Sequence, residues 1–314
     1  MNEIYKKTIK LLSPNLSEQE RETLFLEVVE SKTNPENLFA VVSAIRGKMR
    51  PIALPFDSVD TCGTGGSGYQ TINTSTLSSL LLAACGYFSV TKHGGRSASG
   101  NCGSADIMER LGINLIPDEK TQIRAFLETK FAFFFSGHHH RTMASIAGLR
   151  KKYGKPTIFN LAGPLCNPCS PKKQIIGTNS VENAEIITKT LVMLGGAYCI
   201  VFTSDSGLDE IAFEPFTFFR ISGKYIYKEK MNSLYPPVDL EKISGGNLEF
   251  NRQIFMSVLS GQKTIFSEMV IINAAYALFF LAGMNYDKAY NLAKEALHDR
   301  AALDIFKKYK AALS

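Results

Sequence analysis

The chain of 314 residues has no tryptophan, only five histidines and six cysteines, and no long run of lysine or arginine. Each shortage excludes something. Six cysteines, at 62, 85, 102, 166, 169 and 199, are too few to staple a fold of this size, so a disulfide scaffold is set aside and reduced thiols in a cytoplasmic setting are expected. Cys166 and Cys169 form a C-x-x-C, but there is no second pair to complete a zinc site and no thioredoxin-like strand and turn around it, which leaves an incidental loop pair. A balance of 35 basic against 29 acidic residues gives a net charge of +6 without clustering, so nucleic acid is not implied; a taste for small anions and an ordinary lysine-rich surface both remain open. The opening decapeptide, Met1 to Lys10, lacks the apolar core of a secretory signal. The most apolar stretch, "MVIINAAYALFFLAGM" at 269–284, is interrupted by Asn273 and falls short of the roughly 18 residues of a spanning helix, so a buried core helix and no membrane are expected.

What is present is an ordinary globular composition, 45% hydrophobic and 20% charged. The first fifty residues read as helices with explicit punctuation. Ser17 and Glu20 make an S-x-x-E capping box, and Asn34-Pro35 supplies an N-cap and first-turn proline before a segment that Gly47 closes. From about residue 58 the pattern changes. Short β-branched or aromatic runs ("SVDT", "YFSVT", "FAFFF") each lead into a polar loop and then a helix ("LSSLLLAAC", "SADIMERLG", "MASIAGLRKK"). A further strand, "AYCIVF", precedes "TSDSGLDE", and 265–312 returns to helices. The fold class that follows is α/β: a small N-terminal helical domain over 1–57, completed by helices around 163–190, and a large α/β domain over 58–314 with a central, largely parallel sheet.

The loops carry the chemistry. "GTGGSG" at 63–68 stands between a strand and a helix, where glycines bare their N–H groups and the helix start adds partial positive charge, a combination suited to anionic oxygens. It matches neither the Walker A spacing nor the G-x-G-x-x-G fingerprint, and a glycine-rich turn without ligand is the alternative. "NTST" follows, placing Asn73, Ser75 and Thr76 where they either cap the helix or reach a phosphate or metal. A second loop, "TKHGGRSASGNCGSAD", sets Lys92, His93 and Arg96 among four glycines and three serines, which suits a ligand bearing phosphate at both ends. A third, "GHHHRTM", lacks metal-binding spacing and reads as pocket lining. In a fourth, "GLDE", Asp209 and Glu210 suit a hydrated magnesium ion, although such a pair is also ordinary surface.

Taken together, "GTGGSG", "NTST", "KHGGRSASGNCGSAD", "TIFNLAGPLCNP" and "GLDE" occur in the order and spacing of the anthranilate phosphoribosyltransferases, which the chain resembles over nearly its whole length. The resemblance implies a homodimer associating through the helical domain, and transfer of phosphoribose from phosphoribosyl pyrophosphate to the amine of anthranilate in tryptophan biosynthesis. By position it implies that Gly63, Gly66, Ser67, Thr71, Asn73, Thr74, Ser75, Thr76, Lys92, His93, Gly94, Gly95, Arg96, Ser97, Ala98, Ser99, Gly100 and Ser104 hold the donor. Gly63, Gly95, His140 and Arg150 fall at the acceptor, Ser75, Asp209 and Glu210 at Mg2+, and Lys92, His93 and Arg96 are the catalytic candidates.

The chain departs from the family pattern at Ser67, where G-T-G-G-D is usual, at Gly95, where K-H-G-N-R is usual, and at Arg141-Thr142, where H-P-A-M is usual. The first removes an acid near donor and metal, the second an asparagine side chain toward the acceptor. An oxocarbenium-like transition state is expected at the anomeric carbon, without a protein nucleophile. Three alternatives stand beside this reading. A pyrimidine nucleoside phosphorylase would carry K-H-S-T-G-G, which this chain lacks; a relative with another aromatic acceptor and a non-catalytic nucleic-acid-binding relative are the others. The lack of tryptophan suits an enzyme made when that amino acid is scarce.

Overall fold

In a computed structural model the structure describes residues 2–65, 68–69, 71–97 and 102–314. The chain opens with α1 (Glu3–Leu11), α2 (Glu18–Val29) and α3 (Pro35–Arg46). Their starts follow local chemistry. The Ser17 N–H donates to Glu20 Oε2 at 3.1 Å while the Glu20 N–H donates to Ser17 Oγ at 3.3 Å, and Asn34 Oδ1 accepts from the Asn37 N–H at 2.8 Å.

The α/β part runs β1 (Val59–Gly63), α4 (Thr74–Ala84), β2 (Val90–Gly94), α5 (Ser104–Arg110), α6 (Glu119–Thr129), β3 (Phe131–Phe135), α7 (Ser136–His139), α8 (Ala147–Tyr153), α9 (Ile158–Ala162), β4 (Lys173–Gly177), α10 (Val181–Met193) and β5 (Tyr198–Ser204). A hairpin, β6 (Phe216–Ser222) and β7 (Tyr225–Met231), turns through Gly223 at φ 62, and four helices close the chain: α11 (Leu248–Leu259), α12 (Ile265–Ala282), α13 (Tyr286–His298) and α14 (Ala301–Ala312). The seven strands lie in the order β3-β2-β1-β4-β5-β6-β7, the first five parallel and the last two antiparallel.

Four elements differ from the sequence reading. The "GHHH" stretch, expected as loop, contributes to the short helix α7, and β4 and the β6–β7 hairpin were not anticipated. The apolar helix starts at Ile265, where the return to helices is expected, and reaches 18 residues; long and apolar enough to cross a bilayer, it is packed against α4 and α13, with most of that span buried inside the fold.

Alternation along the strands assigns the two faces of the sheet to two cores. Ile175, Ile200, Phe202 and Phe218 join the core under α4, α6 and α11–α14. Their neighbours Ile176, Val201 and Phe219 join the other, which contains Leu11, Phe25 and Val41 of the N-terminal helices together with Phe159, Leu165 and Ile187. The segment after α3 is tied to the sheet domain by backbone bonds, Arg50 N–H to His139 O at 2.9 Å and Ile52 N–H to Pro168 O at 3.0 Å.

Candidate active site

The chain fills the sheet outward from β1 to β3, then restarts on the other side of β1 with β4. The crevice beyond the carboxyl ends of β1 and β4 is therefore the point where the winding reverses, the place where open α/β sheets take ligands. Two glycines end those strands in register, Gly63 opposite Gly177, and Asp209 rests on both. A Cβ on Gly63 would lie 2.3 Å from Asp209 Oδ2, and one on Gly177 would lie 1.8 Å from the Asp209 carbonyl oxygen. Gly65, at φ 65, donates its N–H to the same Oδ2 at 2.8 Å, and Thr64 donates to Gly177 O at 2.9 Å. The first turn of the glycine loop is thus fixed by a carboxylate delivered from after β5.

Glu210, beside it, is buried, and its Oε2 is without a hydrogen-bond partner among the described residues. Burial and then the neighbouring Asp209 charge push its carboxyl up to about 8, opposed by Thr71, Thr74 and Lys92. The Thr64 and Thr76 hydroxyl oxygens are buried and likewise without a partner among the described residues. Asn73, at the N-cap of α4, makes no capping bond; its amide reaches the second loop, donating to Cys102 O at 3.4 Å while the Cys102 thiol donates back at 3.6 Å. Ser75 lies in the first turn of the same helix, its carbonyl accepting from Thr61 Oγ1 and Ser79 Oγ. Two adjacent carboxylates and an orphaned buried oxygen suit a hard divalent cation that takes most of its ligands from water and phosphate; among the described residues no cluster of three His, Cys, Asp or Glu forms a closed metal cage.

After β2 the backbone is again bare for a reason of packing. A Cβ on Gly94 would meet Ser104 Oγ at 2.0 Å, and Gly95 O accepts from the Ala105 N–H at 3.0 Å. Asp106 gathers the turn, accepting from Gly103 N–H at 2.9 Å and Ser97 N–H at 3.1 Å. Arg96 faces outward: it donates to Asp106 at 3.1 Å and pairs with both Glu109 oxygens at 2.7 and 2.9 Å, while crossing the Phe135 ring. The structure therefore gives Arg96 the work of bracing this loop. Lys92 is different. It is 3% exposed, and its ammonium donates to His93 O at 3.3 Å. Beneath it, fully buried Asp60 accepts from Asn167 Nδ2 at 2.9 Å, and that amide also donates to Thr91 O at 2.7 Å. Burial raises the Asp60 carboxyl, and the Lys92 charge pulls it back.

His93 and His140 meet edge to face, ring centroids 5.2 Å apart. Burial holds both imidazoles neutral, His140 down to about 4. His140 Nε2 bonds Cys166 O at 2.8 Å, and His93 Nε2 and His140 Nδ1 have no partner among the described residues. Arg150, in α8, is largely desolvated, which lowers its basicity, and makes no ion pair among the described residues. Gly66, Ser67, Ala98, Ser99 and Gly100 of the expected donor site lie outside the described residues.

A family model described as glycosyl transferase family, a/b domain, matches residues 56–303. An anthranilate phosphoribosyltransferase of Desulfitobacterium hafniense is 35% identical over 309 residues, covering 96% of this chain and 91% of its own. The chain belongs to the anthranilate phosphoribosyltransferases. Another, from Bacillus cereus, is 36% identical over 88% of this chain and 82% of its own. The crystal structure of the Thermus thermophilus anthranilate phosphoribosyltransferase superposes with a TM-score of 0.88 at 28% identity, covering 99% of this chain and 94% of that one. The Saccharomyces cerevisiae anthranilate phosphoribosyltransferase, solved in complex with PRPP and Mg, shares the fold at a TM-score of 0.87 and 22% identity, over 99% of this chain and 92% of its own.

Within this site the sequence alone does not single out Gly177, Asp60, Asn167 and Asp106. Three of these support a residue that it does single out. Gly177 makes room for Asp209, Asp60 sets its charge beneath Lys92, and Asp106 holds Arg96, while Asn167 in turn braces Asp60. The "GPLCNP" run is visible in the sequence as a pattern, and only the fold shows that its asparagine reaches across to β1 and β2.

Proposed function

We infer that this chain transfers the phosphoribosyl group of phosphoribosyl pyrophosphate to the amine of anthranilate, releasing pyrophosphate, with Mg2+ as the assisting ion. The observation that carries the reading is Asp209, seated on Gly63 and Gly177 at the reversal point of the sheet with Glu210 buried next to it in sequence, in a chain 35% identical to a named member over nearly its full length.

The C1–O bond to pyrophosphate breaks with its electron pair leaving on oxygen, and a C1–N bond forms from the amine lone pair. Charge builds on the departing oxygens and on the ribose, so stabilisation rests on fixed dipoles and cations around the leaving group. Lys92 supports that role: three donors, one used among the described residues, in a buried position that keeps the charge from being diluted by water. Ser75, Asp209 and Glu210 would hold magnesium, which when bound supplies positive charge to the leaving pyrophosphate. Arg150, desolvated and without a carboxylate among the described residues, matches the acceptor's carboxylate. The neutral His93 imidazole, its Nε2 without a partner among the described residues, is suited to take the proton the amine sheds. Six free cysteines suit a reducing cytoplasm, and a homodimer through α1–α3 belongs to the same reading, supported by Leu26 exposed on α2.

The test is direct. Protein, magnesium and phosphoribosyl pyrophosphate mixed with anthranilate should extinguish the fluorescence of anthranilate as it is consumed. A flat trace with anthranilate, accompanied by pyrophosphate release with another aromatic amine, would reassign the acceptor.

A further inference from the structure

Gly95 is the first residue beyond β2, and Ser136 is the first beyond β3; the last strand residues, Gly94 and Phe135, are in register, so the two loops leave the sheet side by side. A Cβ built on Gly95 would lie 2.6 Å from Ser136 Oγ and 3.8 Å from Ser136 Cβ. The Ser136 hydroxyl therefore stands in the volume that a side chain at 95 would occupy. That hydroxyl is only partly buried and makes no hydrogen bond among the described residues. It also begins α7, the short helix that leads into His140, whose ring packs against His93. A partly exposed hydroxyl that no protein group among the described residues engages keeps its donor and acceptor capacity for a ligand's polar group.

We propose that Ser136 is the specificity residue that hydrogen-bonds the polar edge of the aromatic acceptor, replacing across the strand gap the side chain that Gly95 lacks. The proposal rests on the acceptor reading given above. Position 95 and position 136 then form one unit, in which a hydroxyl just after β3 and bare backbone just after β2 do the work of a longer side chain at 95. Filling both positions is excluded by the 2.6 Å approach unless the serine turns away.

The experiment is a two-residue cycle, Ser136→Ala, Gly95→Asn and the double variant, read by steady-state kinetics with anthranilate and phosphoribosyl pyrophosphate and by thermal melting. Loss of one hydrogen bond to a charged or polar ligand group predicts that Ser136→Ala raises KM for anthranilate about tenfold, with KM for the donor and the melting temperature unchanged. Gly95→Asn alone is expected to lose acceptor affinity, since its new side chain meets Ser136. In the double variant the space is vacated and a polar side chain restored, so KM for anthranilate should return to within about threefold of the starting protein. Unchanged KM for anthranilate in Ser136→Ala, or a double variant no better than Gly95→Asn, overturns the proposal. Failure of the unmodified protein to turn over anthranilate is a separate result and speaks against the parent reading instead.

Discussion

Gly177 has no side chain, and the structure shows what one would strike: the backbone carbonyl of Asp209 at 1.8 Å. Gly63 faces the carboxylate of the same residue, at 2.3 Å, which can rotate away where a backbone cannot. The two glycines should therefore fail differently. Gly177→Ala is expected to cost about 2 kcal/mol or more of stability, seen as a lower denaturant midpoint. Gly63→Ala should melt close to the parent, yet lose donor affinity in calorimetric titration with phosphoribosyl pyrophosphate and magnesium, because Asp209 is displaced. Glu210 gives a prediction with a sign. Its carboxyl rises from 4.5 to about 8 in the fold, so between those values the folded chain holds a proton that the unfolded chain has released. Stability contributed by this group is lost as pH climbs through that window, and Glu210→Gln removes the loss. At pH 8 the variant without ligands should melt higher than the parent, while the thermal shift on adding magnesium and donor disappears. A variant that melts lower at pH 8, or keeps its shift, contradicts the assignment.

Among elements, legibility tracked how local the information was. The caps of α2 and α3 were readable because a capping box and an Asn-Pro start operate within four residues. Asn34→Ala should accordingly destabilise by about 1 kcal/mol in urea titration, since α3 buries six of its residues and cannot fray freely. β3 was legible as "FAFFF", an apolar run with no polar interruption. β4 was not: "KQIIG" offers two branched residues between a lysine and a glycine, and only its neighbours β1 and β5 make it a central strand. β7 eluded the pattern for the opposite reason, being exposed on both faces and so free of alternation. The site shows the same division. "GTGGSG", "NTST" and "GLDE" announced themselves by composition, whereas the partnership of Asn167 with Asp60, or of Ser136 with Gly95, joins residues 107 and 41 positions apart that nothing local connects.

Across the whole molecule, the neutral histidines gather where the segment after α3 meets the sheet domain. His139 Nδ1 bonds Arg50 O at 2.9 Å, His140 bonds Cys166 O, and burial lowers His93, His139 and His140 alike. Unfolded, these rings titrate near 6.5; folded, His140 resists protonation down to about 4. Between those values the unfolded chain binds more protons, so stability falls as pH drops through the window and recovers above it. His140 alone should account for about 3 kcal/mol of that loss. Urea midpoints measured from pH 7 to pH 4.5 are expected to fall steeply in the parent and less steeply in His140→Gln; equal slopes would remove this ring from the acid limb. At the opposite end of the sheet, β7 stands four strand places from β1, roughly 19 Å at ordinary strand spacing, and its turn at Gly223 and Lys224 faces solvent. That hairpin is consequently a handle: a tag, dye or tether spliced between those two residues should ride on the catalyst without slowing it, and would allow single molecules to be fastened to a surface while they work.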